Sequence, residues 1–189
     1  MVEKMPKRST AGKTSPGSPE PAQGPGRPAA PALDRYDLAI LHALQADARL
    51  SNAELATRIG LSAAPTWRRV RRLEEQGYIT GYRAEIDRRR VGLGVLAFVR
   101  VDAERNNAEA TRVLEDTIRA LPEVVACHYI SGAGTFELQV VATDLDAYSR
   151  WAMDKLFTLP NVKDLHTSFS LGEVKAGSAL PLEHLGRGG

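Results

Sequence analysis

The stretch that decides the fold is SNAELATRIGLSAAPTWRRVRRLEEQG, residues 51–77. Ser51 and Glu54 have the spacing of a capping box, which predicts the start of a helix. Gly60 predicts that this helix ends in the left-handed conformation, and Ser62 predicts the N-cap of a second helix. Two capped helices separated by so short a turn have the spacing of a helix-turn-helix motif.

The second helix of the motif is predicted to run to Gln76 and to stop at Gly77. On a helical wheel of about 100° per residue, its inward face consists of three residues. These are Thr66, Val70 and Leu73. Three of its four arginines point away from the core and the fourth lies on a flank. The outward arginines are Arg68, Arg71 and Arg72, and the flanking one is Arg69. Trp67 lies at the edge of the inward face, where we expect it to pack against the first helix; contact of its indole N–H with a phosphate is the alternative.

An arginine-rich helix of this kind indicates contact with DNA. The guanidinium is a forked, permanently charged donor that suits guanine edges and phosphates. Small residues at the start of the helix allow it to approach the base edges closely, and a helix N-terminus favours phosphate. We expect Arg68 to contact a base, and Arg71 and Arg72 to hold phosphates. The alternative is a solvated cationic face. The candidate DNA-contacting residues are Ser62, Ala63, Ala64, Pro65, Arg68, Arg69, Arg71 and Arg72.

The rest of the chain predicts one helix before the motif and an α/β domain after it. The first helix follows a candidate N-cap at Asp34, and two strand-like runs at 78–80 and 82–86 predict a β extension. After residue 92 the predicted order is β-α-β-β-α-β, which is typical of a ferredoxin-like α/β sandwich. The predicted strands are 95–101, 124–130, 136–142 and one within 162–174. The predicted helices are 108–121, capped by Asn107, and 146–159. The fold class is therefore α+β.

Charge is segregated along the 189 residues, although the total is only +2. Residues 1–32 carry a net +3 and hold seven of the 11 prolines, so we expect a disordered basic arm that adds weak attraction to a polyanion. An inert tail is the alternative. Residues 33–92, the DNA-binding domain and linker, also carry +3. Residues 93–175 and the expected loose tail at 176–189 together carry −4.

Several function classes are excluded by composition. The single cysteine, Cys127, excludes an intramolecular disulfide and a zinc site of several cysteines. Cys127 and His128 are adjacent in a predicted strand and point to opposite faces, so they form no catalytic dyad. His128 and His166 lack a third ligand. No apolar run approaches the ~20 residues that cross a bilayer, and no secretory signal begins the chain. We expect a cytoplasmic protein with no membrane association, no metal, no cofactor and no catalytic residues.

The chain resembles the Lrp/AsnC family, also called the leucine-responsive or feast/famine regulators. The resemblance spans about residues 33–175. Its most specific stretch is LDRYDLAILHALQADARLSNAELATRIGLSAAPTWRRVRRLEEQGYITGYRAEID, followed by ACHYISGAG, FELQVVATDLDAYSRW and LPNVKDLHTSFSLGEVK. It implies an N-terminal winged helix-turn-helix joined by a β linker to a C-terminal effector domain. It also implies a homodimer, further assembly into an octamer, and a small-molecule effector, commonly an amino acid, that binds between neighbouring dimers.

The resemblance also assigns a candidate effector site. It comprises the turn after the second strand of the effector domain and two serines of the last strand. The candidate residues are Ser131, Gly132, Ala133, Gly134, Thr135, Phe136, Ser168 and Ser170. Thr135 stands where the family has an acidic residue, and Gly134 where it has an aromatic one. Because an acid could pair with an α-ammonium group, we hypothesise that this site takes another small metabolite, or no ligand.

The resulting hypothesis is a sequence-specific, DNA-binding transcription regulator associated with the nucleoid. Two copies of the second helix would enter successive major grooves of a pseudo-palindromic site. A nucleoid-architectural protein that wraps DNA with little sequence preference is the alternative. An enzyme that uses residues 93–189 is a third hypothesis, which no group of residues supports.

Overall fold

A computed structural model describes residues 33–104, 108–132, 135–175, 177 and 179–186. Three helices come first, followed by four strands that alternate with two further helices, and by a short terminal turn. The first part contains α1 (Arg35–Ala46), α2 (Asn52–Ile59) and α3 (Ala63–Glu75). The second part contains β1 (Val95–Ala103), α4 (Ala108–Arg119), β2 (Val124–Tyr129), β3 (Phe136–Ala142), α5 (Leu145–Trp151) and β4 (Val162–Phe169). Among the described residues, no helix combines the length and apolar character needed to cross a bilayer.

The predicted caps of α1 and α2 are confirmed. The Asp34 carboxylate accepts from the Asp37 amide at 3.0 Å, and Asp37 accepts from the Asp34 amide at 3.1 Å. The same reciprocal box joins Ser51 and Glu54. Gly60 then ends α2 at φ 71°, a left-handed conformation that favours glycine.

Helix α3 begins after Ser62, as predicted, but the predicted side-chain cap is wrong. The Ser62 hydroxyl makes no capping hydrogen bond. Its carbonyl instead accepts from the Thr66 hydroxyl at 2.9 Å and from the Thr66 amide at 3.3 Å. Thr66 and Leu73 are fully buried, which confirms the inward face of the wheel, and Leu73 packs with Ile40 and Leu55 in the core of this domain.

The predicted strands at 78–80 and 82–86 are absent from the structure. The amides of Tyr78 and Ile79 donate to the Leu73 carbonyl at 2.9 and 3.1 Å, so this segment folds back on the end of α3. Residues 80–87 are irregular and exposed, with Tyr82 48% and Ile86 68% accessible. A strand needs a hydrogen-bonded neighbour, and none of the described segments supplies one here.

The second domain is a four-stranded antiparallel sheet in the order β2-β3-β1-β4, which confirms the ferredoxin-like prediction. Alternate residues of the central strands pack under α4 and α5, and Val99, Leu138 and Leu114 are fully buried there. None of the described helices packs on the other face of the sheet, which carries the partly exposed Leu96 and Phe98. At the start of β1 a Cβ on Gly94 would lie 2.8 Å from the Thr143 carbonyl oxygen, so a side chain does not fit at this point.

Predicted boundaries are close to the observed ones, with one difference. The helix predicted at 146–159 is α5 followed by a π-helical turn, Ala152–Leu156. Strand β4, Val162–Phe169, lies within the predicted range 162–174. The predicted cap Asn107 lies outside the described residues.

The C-terminal segment differs from the expected loose tail. The Leu180 amide donates to the Gln45 side-chain oxygen at 2.6 Å, and a 3-10 turn, Glu183–Gly186, contacts α1. The tail therefore lies against the first domain. The sequence did not predict this contact because Gln45 and Leu180 are far apart in the chain. Residues 1–32 of the expected arm lie outside the described residues.

Candidate DNA-contact surface and effector site

The start of α3 presents a surface of short side chains. Ser62, Ala63 and Ala64 are exposed, and Pro65 is half-buried in the first turn. The Asn52 side-chain amide donates to the Ala63 carbonyl at 2.8 Å, which ties the start of α3 to the start of α2. A rigid element with short side chains can approach base edges closely.

Two of the four arginines of α3 are held by α1. An Nη atom of Arg72 lies 2.5 Å from the Asp37 carboxylate, and Nη1 of Arg69 lies 2.8 Å from Asp37 and 2.7 Å from Asp34. Asp37 is only 1% exposed. Burial opposes the charge of Arg69, but its hydrogen bonds to Asp37 and Asp34 outweigh burial and raise its pKa. The wheel placed Arg72 on the outward side of α3 but did not reveal its ion pair with Asp37, because a wheel of α3 contains no information about α1.

The other two arginines face solvent. Arg68 is exposed, and no ion pair joins it to any other described residue. Arg71 is 55% exposed and lies 3.9 and 3.7 Å from the carboxylates of Glu74 and Glu75. Exposed pairs of this length contribute little, so both guanidinium groups are available to a ligand.

Trp67 is not packed in the core. It is 56% exposed, and the Arg71 guanidinium lies 5.9 Å from the centre of its ring. The expectation that Trp67 packs against the first helix is therefore wrong. Its position at the edge of the inward face left its direction open, and the structure places it on the same surface as Arg68 and Ala64.

Part of the candidate effector turn is hydrogen-bonded to the sheet. The Thr135 amide donates to the Val101 carbonyl at 2.8 Å, and the Thr135 hydroxyl accepts from the Ala103 amide at 3.1 Å. Phe136 is 2% exposed and meets Tyr129 edge to face at 5.2 Å, so it is a core residue. Ser131 and Gly132 are exposed. Ala133 and Gly134 lie outside the described residues.

The structure does not bring the two parts of the candidate effector site together within one chain. Thr135 contacts the Val101 end of β1, whereas the Ser170 amide donates to Leu96 at the other end at 2.9 Å. Those ends are separated by about 17 Å at about 3.4 Å per residue. Ser168 lies between them, exposed and paired with Phe98, on the face of the sheet opposite α4 and α5.

Cys127 and His128 are neighbours on β2, as predicted. Cys127 pairs with Leu138 and His128 with Glu137, so the two adjacent side chains lie on opposite faces of the sheet. Partial burial raises the pKa of the Cys127 thiol, and Glu115 adds to the rise. Within the described ranges, no group of three or more His, Cys, Asp and Glu side chains could hold a metal ion.

Together, the two domains define a class of protein: a helix-turn-helix DNA-binding protein with a separate α/β sensor domain. A family model described as winged helix-turn-helix DNA-binding matches residues 33–80. A second, described as the Lrp/AsnC ligand binding domain, matches residues 96–180. The chain belongs to the Lrp/AsnC family of transcription regulators.

Curated relatives and solved structures agree. The chain is 41% identical over 150 residues to the Bkd operon transcriptional regulator of Pseudomonas aeruginosa, covering 79% of this chain and 98% of that protein. It is 36% identical over 151 residues to the leucine-responsive regulatory protein of Escherichia coli K12, covering 80% and 92%. A transcriptional regulator from Neisseria meningitidis, solved as an L-Met complex, superposes with a TM-score of 0.77 at 38% identity, covering 81% and 99%. An AsnC family regulator from Agrobacterium tumefaciens gives 0.76 at 32%, covering 80% and 99%.

Proposed function

We propose that this regulator binds pseudo-palindromic double-stranded DNA as a homodimer in the cytoplasm and that a small-molecule effector changes its DNA affinity. The observation that carries the proposal is the exposed surface of α3, where Arg68 stands without an ion-pair partner among the described residues, next to Ala64. The protein acts by binding and not by catalysis. Any ligand that prefers one assembly also changes DNA affinity, since coupling between sites is reciprocal.

The geometry of α3 supports a specific set of proposed DNA contacts. Arg68 reads a base edge, and Arg71 holds a phosphate. The short residues 62–65 let the helix enter the major groove and offer backbone amides to the phosphate backbone. Arg69 and Arg72 border this surface but use part of their donors on Asp37.

A homodimer provides the second copy of α3 that a pseudo-palindromic site requires. The face of the sheet on which no described helix packs suits the interface because it presents the partly exposed Leu96 and Phe98 of β1. Apolar residues on a face without a helix favour burial against another surface. We also propose that dimers assemble into octamers. Met153 and Phe157 offer exposed apolar side chains for such a contact.

The proposed effector is a small molecule that binds the α/β domain. A relative was solved with L-Met, which supports a small, amino-acid-like ligand. Thr135 offers no carboxylate to an α-ammonium group, and its hydroxyl already accepts from Ala103. We therefore propose a metabolite other than a common amino acid, held where Ser131 and Gly132 of one copy approach Ser168 and Ser170 of another.

Genome-wide mapping of bound sites tests the proposal. Footprints at a few promoters, including the protein's own, support a sequence-specific regulator. Uniform coverage of the chromosome would instead support a nucleoid-architectural protein with little sequence preference.

A further inference from the structure

We propose that Asp37 is a positioning residue that limits how many arginines α3 offers to DNA and thereby raises sequence specificity without touching the DNA. This inference rests on the proposed function. The residue lies in the first turn of α1, and its carboxylate contacts Arg69 and Arg72 of α3.

The carboxylate of Asp37 is the centre of a charge network. It is 1% exposed and accepts from Arg69 at 2.8 Å, from Arg72 at 2.5 Å and from the Asp34 amide at 3.1 Å. Arg69 also reaches Asp34 at 2.7 Å. Two carboxylates therefore face two guanidinium groups across the α1–α3 contact.

Burial makes this network difficult to open. A buried carboxylate that loses its partners is strongly destabilising, since its charge is then uncompensated. Ile40 and Leu73, both fully buried, belong to the core cluster that holds α1 against α3. Arg69 and Arg72 are consequently held back from the phosphate backbone even when the helix lies in the groove.

The four arginines of α3 therefore fall into two pairs. Arg68 and Arg71 remain free to contact DNA, whereas Arg72 is tied to Asp37 and Arg69 to both Asp37 and Asp34. Each additional cation that meets a phosphate strengthens binding to every sequence alike. When two arginines are kept away from the phosphates, the affinity for non-specific DNA is lower. The base contact of Arg68 then accounts for a larger share of the sequence preference.

The decisive variant is Asp37→Asn in the full chain. The amide has nearly the same shape and still accepts one hydrogen bond, but it carries no charge that would retain Arg72. Arg69 keeps its ion pair with Asp34. Binding is measured at several salt concentrations to two duplexes, one bearing a sequence selected from a random library by the wild-type protein and one with that sequence shuffled. We expect the slope of log K against log salt to steepen by about 0.9, the value for one further phosphate contact. The preference for the selected duplex over the shuffled one falls.

Two further variants test whether the release of Arg72, and not the change of net charge, causes the steeper slope. Asp37→Asn combined with Arg72→Gln restores the wild-type slope if the released cation is Arg72. Asp116→Asn, which breaks an exposed pair with Arg119 in the second domain, makes the same change of net charge and leaves the slope unchanged.

The results that overturn the inference are distinct from those that overturn the proposed function. Equal weakening on both duplexes with an unchanged slope makes Asp37 merely structural. If Asp37→Asn does not fold, Arg72→Gln alone decides: an unchanged slope supports the inference, and a slope shallower by about 0.9 shows that Arg72 already contacts phosphate and overturns it. Failure of the wild-type protein to bind either duplex refutes the proposed function itself.

Discussion

The side chain of Gln45, in the last turn of α1, is hydrogen-bonded to both backbone groups of Leu180, 135 residues further along the chain. Its Oε1 accepts from the Leu180 amide at 2.6 Å, and its Nε2 donates to the Leu180 carbonyl at 3.4 Å. The contact joins the segment after the effector sheet to the DNA-binding domain. It gives the two domains a connection in addition to the linker.

Gln45→Ala should lower the free energy of unfolding by about 1 kcal/mol, since it removes two hydrogen bonds at the surface. Urea denaturation measures the change, and hydrogen exchange should show faster opening of the last turn of α1. His42→Ala, an exposed change on the same helix, is the control. Equal stability of Gln45→Ala and the wild type would show that the tail contact contributes nothing.

Arg68→Ala should weaken binding to the selected duplex by about 1–3 kcal/mol and relax the preference at one base pair, as expected for loss of a direct base contact. Arg119→Ala removes an exposed arginine from the second domain and should leave binding unchanged. Competition binding against single-base variants provides the measurement. An equal loss of affinity for all sequences would make Arg68 a phosphate contact.

Deletion of residues 1–32 should make the salt dependence of binding shallower and preserve the target site. The segment carries a net +3 and no motif for reading bases, so its contribution is electrostatic. Salt titrations and footprints of the shortened and full chains test this. A changed footprint would contradict a passive role for the arm.

Ser51→Ala and Ser62→Ala should differ in their effects on stability, although both serines precede helices. The Ser51 hydroxyl accepts from the Glu54 amide at 3.3 Å, whereas the Ser62 hydroxyl caps nothing. Loss of a working N-cap costs about 1 kcal/mol. Thermal denaturation of the two variants should show a lower Tm for Ser51→Ala alone. A similar decrease for Ser62→Ala would mean that its hydroxyl caps α3 in solution.

Calorimetric titration of the full chain with each of the common amino acids should detect no tight binding, because Thr135 offers no carboxylate to pair with an α-ammonium group. Thr135→Asp is the informative partner variant: gain of amino-acid binding would show that this position controls ligand class. Tight binding of any one amino acid to the wild type would refute the hypothesis.

Local signals in the sequence predicted most of the fold. Candidate capping residues predicted the starts of α1 and α2, Gly60 predicted the end of α2, and the strand predicted at 136–142 coincides with β3. These signals succeed because the groups involved are close in the chain. The same reasoning failed at 82–86, where a strand-like pattern has no neighbouring strand to pair with.

The sequence by itself therefore determined the two domains, their order of helices and strands, and the arginine-bearing helix. The tertiary structure decided which arginines remain free, since the partner of Arg72 is Asp37, on another helix. It also decided the exposure of Trp67, the separation of Thr135 from Ser170 and the docking of Leu180 on Gln45. Each of these depends on groups distant in the chain, whose approach is set by packing of whole elements rather than by local spacing.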